Sequence, residues 1–128
     1  MLNINKYVDI NTLDKEAKKD YIDRHSAFIE VEKEVEKGTL LAVTVRVGDE
    51  YAHPDDFDHY ISFVQLYNGQ TLLAQANFEP GAVFGNGDKG NLKVTFYVKA
   101  NKNLNLTAMA YCTKHGLWES DTVKVTVK

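Results

Sequence analysis

The sequence predicts an all-β protein, an immunoglobulin-like antiparallel β-sandwich of about seven strands with a short N-terminal helix. Three observations predict it. Apolar and polar residues alternate in several short runs, turn-forming residues interrupt those runs about every 8–12 positions, and only a stretch near the N-terminus has helical spacing. At 128 residues the chain suits a single domain, and folding at that length buries roughly two thirds of the surface without a covalent staple. We divide it into an N-terminal helical segment, 1–22, and a sandwich, 23–128.

The helix is expected from Asn11 to about Tyr21, with Asn11 or Thr12 as cap, Asp14 and Glu16 in the first turn, and Leu13 and Ala17 on one face. The period then becomes twofold. Ile29, Val31 and Val35 alternate with Glu30, Glu32 and Glu34, and Gly38 ends that strand. Leu41, Val43, Val45 and Val47 face inward on the second strand, and a polar loop with Pro54 runs from Gly48 to Asp58. The third strand covers about Tyr60 to Tyr67, and Asn68-Gly69 signals a tight hairpin into a fourth that carries Leu72, Ala74, Ala76 and Phe78. Glu79 to Gly90, with four glycines and a proline, is a long connection. The last three strands carry Leu92–Val98, Leu104–Ala110 and Val123–Val127.

Composition narrows the function. Hydrophobic residues make up 44% and charged residues 26% of the chain, a folded rather than a disordered balance. A net charge of −3 provides no field for nucleic acid. No apolar run approaches the ~20 residues of a membrane span. The N-terminus lacks the apolar stretch of a secretory signal, so a cytoplasmic protein is expected. The single cysteine, Cys112, excludes an internal disulfide and any metal module built from four thiolates.

The four histidines and the cysteine share one end of the expected sandwich. If successive strands reverse direction, His25 precedes the first strand, His53 and His59 lie in the loop into the third, Cys112 ends the sixth, and His115 follows it. Each alone reads as an ordinary loop histidine or a small buried hydrophobe. Only the two-residue spacer of Cys112-Thr113-Lys114-His115 is by itself suited to chelation. The glycine-rich connection falls at the same end and is expected to cover it.

Five such donors exceed the four of tetrahedral zinc and differ from the oxygen ligands of calcium or magnesium. Blue copper uses two imidazoles, a thiolate and a weak axial ligand, which leaves two histidines over. Iron accepts imidazole and thiolate together, and five protein ligands leave one octahedral position open. A cupredoxin-like electron carrier and a sandwich with a structural metal stay as alternatives.

The motifs resemble those of the superoxide reductases, namely the neelaredoxins and the iron domain of desulfoferrodoxins. They are a histidine before the first strand, His53-Pro54 with His59 six positions on, and Cys112-Thr113-Lys114-His115-Gly116-Leu117-Trp118-Glu119. The resemblance spans about 22–128 and implies an immunoglobulin-like fold around one mononuclear iron that cycles between ferrous and ferric. By position it makes His25, His53, His59 and His115 the equatorial ligands and Cys112 the axial thiolate. It implies one-electron reduction of superoxide to hydrogen peroxide, a rubredoxin-like or other small electron donor, and a homo-oligomer, commonly a tetramer. The family's usual Glu-Lys-His-x-Pro is here Asp23-Arg24-His25-Ser26-Ala27. Asp23 and Arg24 are therefore the residues expected beside the open position. Arg24 and Lys114 are the candidates for attracting an anionic substrate, and Leu117 and Trp118 are expected to pack over the ligand loop.

Overall fold

The computed structural model describes residues 4–14, 17–85 and 88–128, and the side chains of 15–20 and 86–88 lie outside that description. Glu16 and the expected partnership of Leu13 with Ala17 fall outside it. Among the described residues the chain forms β1 (Ile4–Asn5), a 3-10 turn (Ile10–Thr12), α1 (Ala17–His25), β2 (Ala27–Glu30), β3 (Glu34–Val35), β4 (Thr39–Val47), β5 (His53–Asp55), β6 (Ile61–Asn68), β7 (Thr71–Asn77), β8 (Asp88–Gly90), β9 (Leu92–Ala100), β10 (Leu104–Cys112), β11 (Gly116–Glu119) and β12 (Val123–Val127). No helix among them is long and apolar enough to cross a membrane.

Two sheets face each other, as expected of a sandwich. In the larger, β10 pairs along one side with β6, which pairs in turn with β7; along its other side it pairs with β11 and β12. Parallel additions of β1 to β11 and β3 to β12 widen that sheet. The smaller sheet is β2-β4-β9, and β5 with β8 forms a separate ribbon. The core lies between the sheets, because strict alternation turns Leu41, Val43, Val45 and Val47 of β4 toward Leu104, Leu106, Ala108 and Ala110 of β10. Each larger side chain buried there contributes about 1.5–3 kcal/mol.

The N-terminal expectation needs correction. Asp9, not Asn11 or Thr12, is the cap: its carboxylate accepts the Asn11 N–H at 3.0 Å and closes a single 3-10 turn around the buried Ile10. The α-helix runs instead over Ala17–His25, so His25 is its last residue. The expected first strand also divides. β2 pairs with β4 in the small sheet and β3 with β12 in the large one, so 31–33 carry the chain across from one sheet to the other.

The strand ends define the pole that matters. Ala27 of β2 stands opposite Val47 of β4, which stands opposite Leu92 of β9. On the facing sheet Cys112 stands opposite Ile61 and Gly116. The segments leading to or from these residues carry His25, His53, His59 and His115.

Candidate metal centre

Cys112 continues the inward series of β10, so its sulfur points into the sandwich and the residue is fully buried. The ladder slips between Tyr111, opposite Phe63, and Cys112, opposite Ile61. A bulge of this kind re-aims a side chain at the end of a strand. Thr113 then ties the Cys112–His115 turn to the neighbouring loop: its N–H donates to the Tyr60 carbonyl at 3.1 Å, and its Oγ1 accepts the Tyr60 N–H at 3.2 Å. Reciprocal backbone bonds between Asp56 and His59, at 2.9 and 3.2 Å, fold the loop that presents His59.

His53 opens β5, whose partner β8 comes from the glycine-rich connection. The buried Asp55 on that strand accepts the Phe84 N–H through Oδ2 at 2.7 Å. The connection thus buttresses the His53 segment.

The four imidazoles form a closed square. Neighbouring ring centres lie 4.8 Å apart for His25–His53, 4.8 Å for His53–His59, 5.1 Å for His59–His115 and 4.7 Å for His115–His25. His25 and His59 face each other across the diagonal at 6.3 Å with planes 24° apart, whereas rings along each edge stand between 71° and 83°. The Cys112 sulfur contacts two rings at opposite corners, His53 Nε2 at 3.2 Å and His115 Nδ1 at 3.6 Å. It therefore bridges one diagonal of the square. Ligand atoms of His25, His53, His59 and Cys112 all lie within 4.8 Å of one another, and His115 joins them with Nδ1 only 3.0 Å from His25 Nε2.

Backbone carbonyls set which nitrogens face inward. His25 Nδ1 donates to the Tyr21 carbonyl and His53 Nδ1 to the Pro54 carbonyl, each at 2.7 Å. In a neutral imidazole that leaves Nε2 as a bare lone pair. Burial keeps these rings neutral: desolvation lowers the pKa of His25 to about 4 and of His53 to about 3, and it lowers His59 as well. Buried His59 Nε2 has no protein partner. The 3.0 Å between His115 Nδ1 and His25 Nε2 is also the spacing of adjacent ligands on one first-row ion. The donor set fits a metal that takes four imidazoles and a thiolate. Desolvation raises the Cys112 thiol, opposed by the N–H groups of Lys114 and His115; a bound ion would deprotonate it outright.

Aromatic rings close the side nearest α1. Trp118, 6% exposed, stacks on His25 at 4.9 Å and 21°, and its Nε1–H donates to the His115 carbonyl at 3.2 Å. Tyr21 lies 4.8 Å from His25 and 5.0 Å from His115, a neighbour that sequence reasoning missed although it stands one helical turn before His25. Asn5 holds the same loop, donating to the carbonyls of Leu117 at 2.8 Å and His115 at 3.4 Å. His59 and His115 are the half-buried members of the square.

The remaining expected residues sit around this cluster. Arg24 is half-buried, and its charge contributes to lowering both His25 and His53. Exposed Lys114 lies 3.6 Å from Asp58. Asp23 is fully buried, but its Oδ2 is turned to the backbone of Asp49 and Tyr51.

The chain matches the Desulfoferrodoxin family over residues 12–121. It is 33% identical over 110 residues to the superoxide reductase of Pyrococcus furiosus, across 77% of this chain and 86% of that protein. To the neelaredoxin of Megalodesulfovibrio gigas it is 30% identical over 109 residues, 77% and 84% of the two chains. The fold is similar to that of a superoxide reductase (neelaredoxin) from Ignicoccus hospitalis, with TM-score 0.73 and 28% identity over 98% of this chain and 95% of that one.

Proposed function

The chain belongs to the desulfoferrodoxin family, and from that premise we propose that it is a superoxide reductase whose mononuclear iron is held by His25, His53, His59, His115 and Cys112. The observation that carries this reading is the square of imidazoles with the cysteine sulfur in contact with two of its opposite corners. An iron held there would supply one-electron redox chemistry, by which superoxide plus one electron and two protons would give hydrogen peroxide at the expense of an external donor.

The protein's own groups do the rest. Carbonyls of Tyr21 and Pro54 hold two imidazoles with their lone pairs inward, so little reorganisation accompanies binding. Cys112, bound as thiolate, supplies electron density from the buried side, which sulfur ligation does in other iron proteins. Arg24 supplies positive charge that draws an anion inward against the net −3 of the whole molecule. Trp118, stacked on His25, keeps water from that side of the square.

Residues 1–22 and 23–128 act as one domain, a reading supported by the pairing of β1 with β11 beside the ligand loop. The protein works in the cytoplasm as a homo-oligomer, a tetramer, fed by a rubredoxin-like or other small electron donor. Rapid mixing of the ferrous protein with superoxide tests the activity. One superoxide consumed per iron, with hydrogen peroxide formed and no dioxygen released, supports reduction; release of dioxygen means dismutation and overturns the assignment.

A further inference from the structure

Asp23 lies on α1 two positions before His25 and is fully buried. Its Oδ2 accepts two backbone N–H groups from the loop that leads to His53, Tyr51 at 2.7 Å and Asp49 at 3.2 Å. The same loop meets the helix end a second time, where the Gly48 N–H donates to the Ser26 carbonyl at 2.9 Å. Gly48 has φ +83°, and a Cβ there would stand 2.4 Å from the Tyr51 carbonyl oxygen and 3.5 Å from Arg24 Cα. The loop is thus folded tightly against the helix end with Asp23 as its anchor.

Taking a carboxylate out of water costs several kcal/mol unless charge-assisted hydrogen bonds offset it. Here the loop's amides satisfy Oδ2, while Oδ1 is buried without a hydrogen-bond partner among the described residues. The helix end and the loop each deliver one imidazole, and the two rings lie on one edge of the square, 4.8 Å apart.

We infer that Asp23 is a positioning residue: its carboxylate ties the helix that ends in His25 to the loop that begins β5 at His53, and so sets the separation of those two imidazoles rather than binding the metal itself. This rests on the reading that both histidines hold iron. The chain has thereby converted the acidic position before its first histidine into a clasp between two ligand segments.

Asp23→Ala and Asp23→Asn test the clasp in the full-length protein. Three readouts are needed: iron loss from the ferrous protein to a strong chelator, the wavelength of the visible band after oxidation, and hydrogen exchange of the Tyr51 amide in the apoprotein. Asp23→Ala is expected to lose iron about 10–100-fold faster, the usual cost of removing a group that orients a metal ligand, and to expose the Tyr51 amide. Asp23→Asn keeps a carbonyl oxygen that accepts the same N–H groups, so it should restore slow iron loss and leave the band where it is. Wild-type iron retention in Asp23→Ala overturns the inference, and so does a displaced band in Asp23→Asn, which would place Asp23 on the metal. If the wild type itself takes no iron, the coordination reading fails separately. The clasp then stands or falls on Tyr51 exchange alone, being overturned if the amide is equally protected with and without the carboxylate.

Discussion

His115 Nδ1 stands 3.0 Å from His25 Nε2, although 90 positions of sequence separate the two residues. One imidazole comes from the last residue of a helix and the other from a turn after β10, so the whole fold is needed to bring them together. That closeness governs how the protein responds to pH, to packing changes and to metal.

In the apoprotein, stability should fall on mild acidification. Burial depresses the folded-state pKa of His25 to about 4 and of His53 to about 3, whereas both titrate near 6.5 when unfolded. Below about pH 6.5 the unfolded chain therefore binds more protons than the folded one, and acid favours unfolding. Two such groups give a slope of up to about 2.7 kcal/mol per pH unit, and His59 adds in the same direction. Urea unfolding between about pH 7 and pH 5, above the range where carboxylates titrate, measures it. A flat profile there would mean that the rings are not held neutral.

Two glycine substitutions should separate backbone strain from collision. Gly38 has φ +88° with nothing within 4 Å of a built Cβ, so Gly38→Ala costs only the left-handed backbone, about 1–2 kcal/mol. Gly48 has nearly the same φ, +83°, but its Cβ would meet the Tyr51 carbonyl oxygen. Gly48→Ala should cost at least about 3 kcal/mol. Equal shifts in urea midpoint for the two variants would contradict the close packing of the loop on the helix.

Much of this centre was legible because the chain has so few soft ligands. With strand direction alternating, only one pole accommodates His25, His53, His59, Cys112 and His115 together, and the structure brings all five there. What stayed hidden depends on tertiary pairing. β8, Asp-Lys-Gly, has no strand propensity and is extended only because β5 lies beside it. β11 gives no strand signal because four residues are too few to show a period. Asp9, Asn11 and Thr12 all favour caps, and composition does not distinguish the 3-10 turn they start from the α-helix that begins later at Ala17. Nor does a sequence reveal that Asp23 turns its carboxylate toward Tyr51.

Trp118 should matter through orientation and not only through bulk. Trp118→Phe keeps an aromatic ring over His25 but removes the Nε1–H donor to the His115 carbonyl. Iron retention against a chelator is expected to weaken by about 10-fold, at the lower end for groups that orient a ligand from outside the metal's own shell. Retention equal to wild type would reduce the residue to filler.

Arg24 should show itself in the salt dependence of the reaction. Arg24→Gln is expected to slow the reaction of the ferrous protein with superoxide several-fold at low ionic strength, with the gap narrowing above about 0.1 M salt as screening sets in. Stopped-flow rates across a salt series make the comparison. A deficit that does not change with salt would place Arg24's role in structure, not in charge.

Iron content and visible absorption, compared between the wild type and Cys112→Ser, test the coordination most directly. The account predicts about one iron per chain and a red-region band that appears on oxidation in the wild type and is absent from Cys112→Ser. An oxidised band of undiminished strength in Cys112→Ser, or a wild type that holds no iron, would contradict the assignment of these five side chains to one ion.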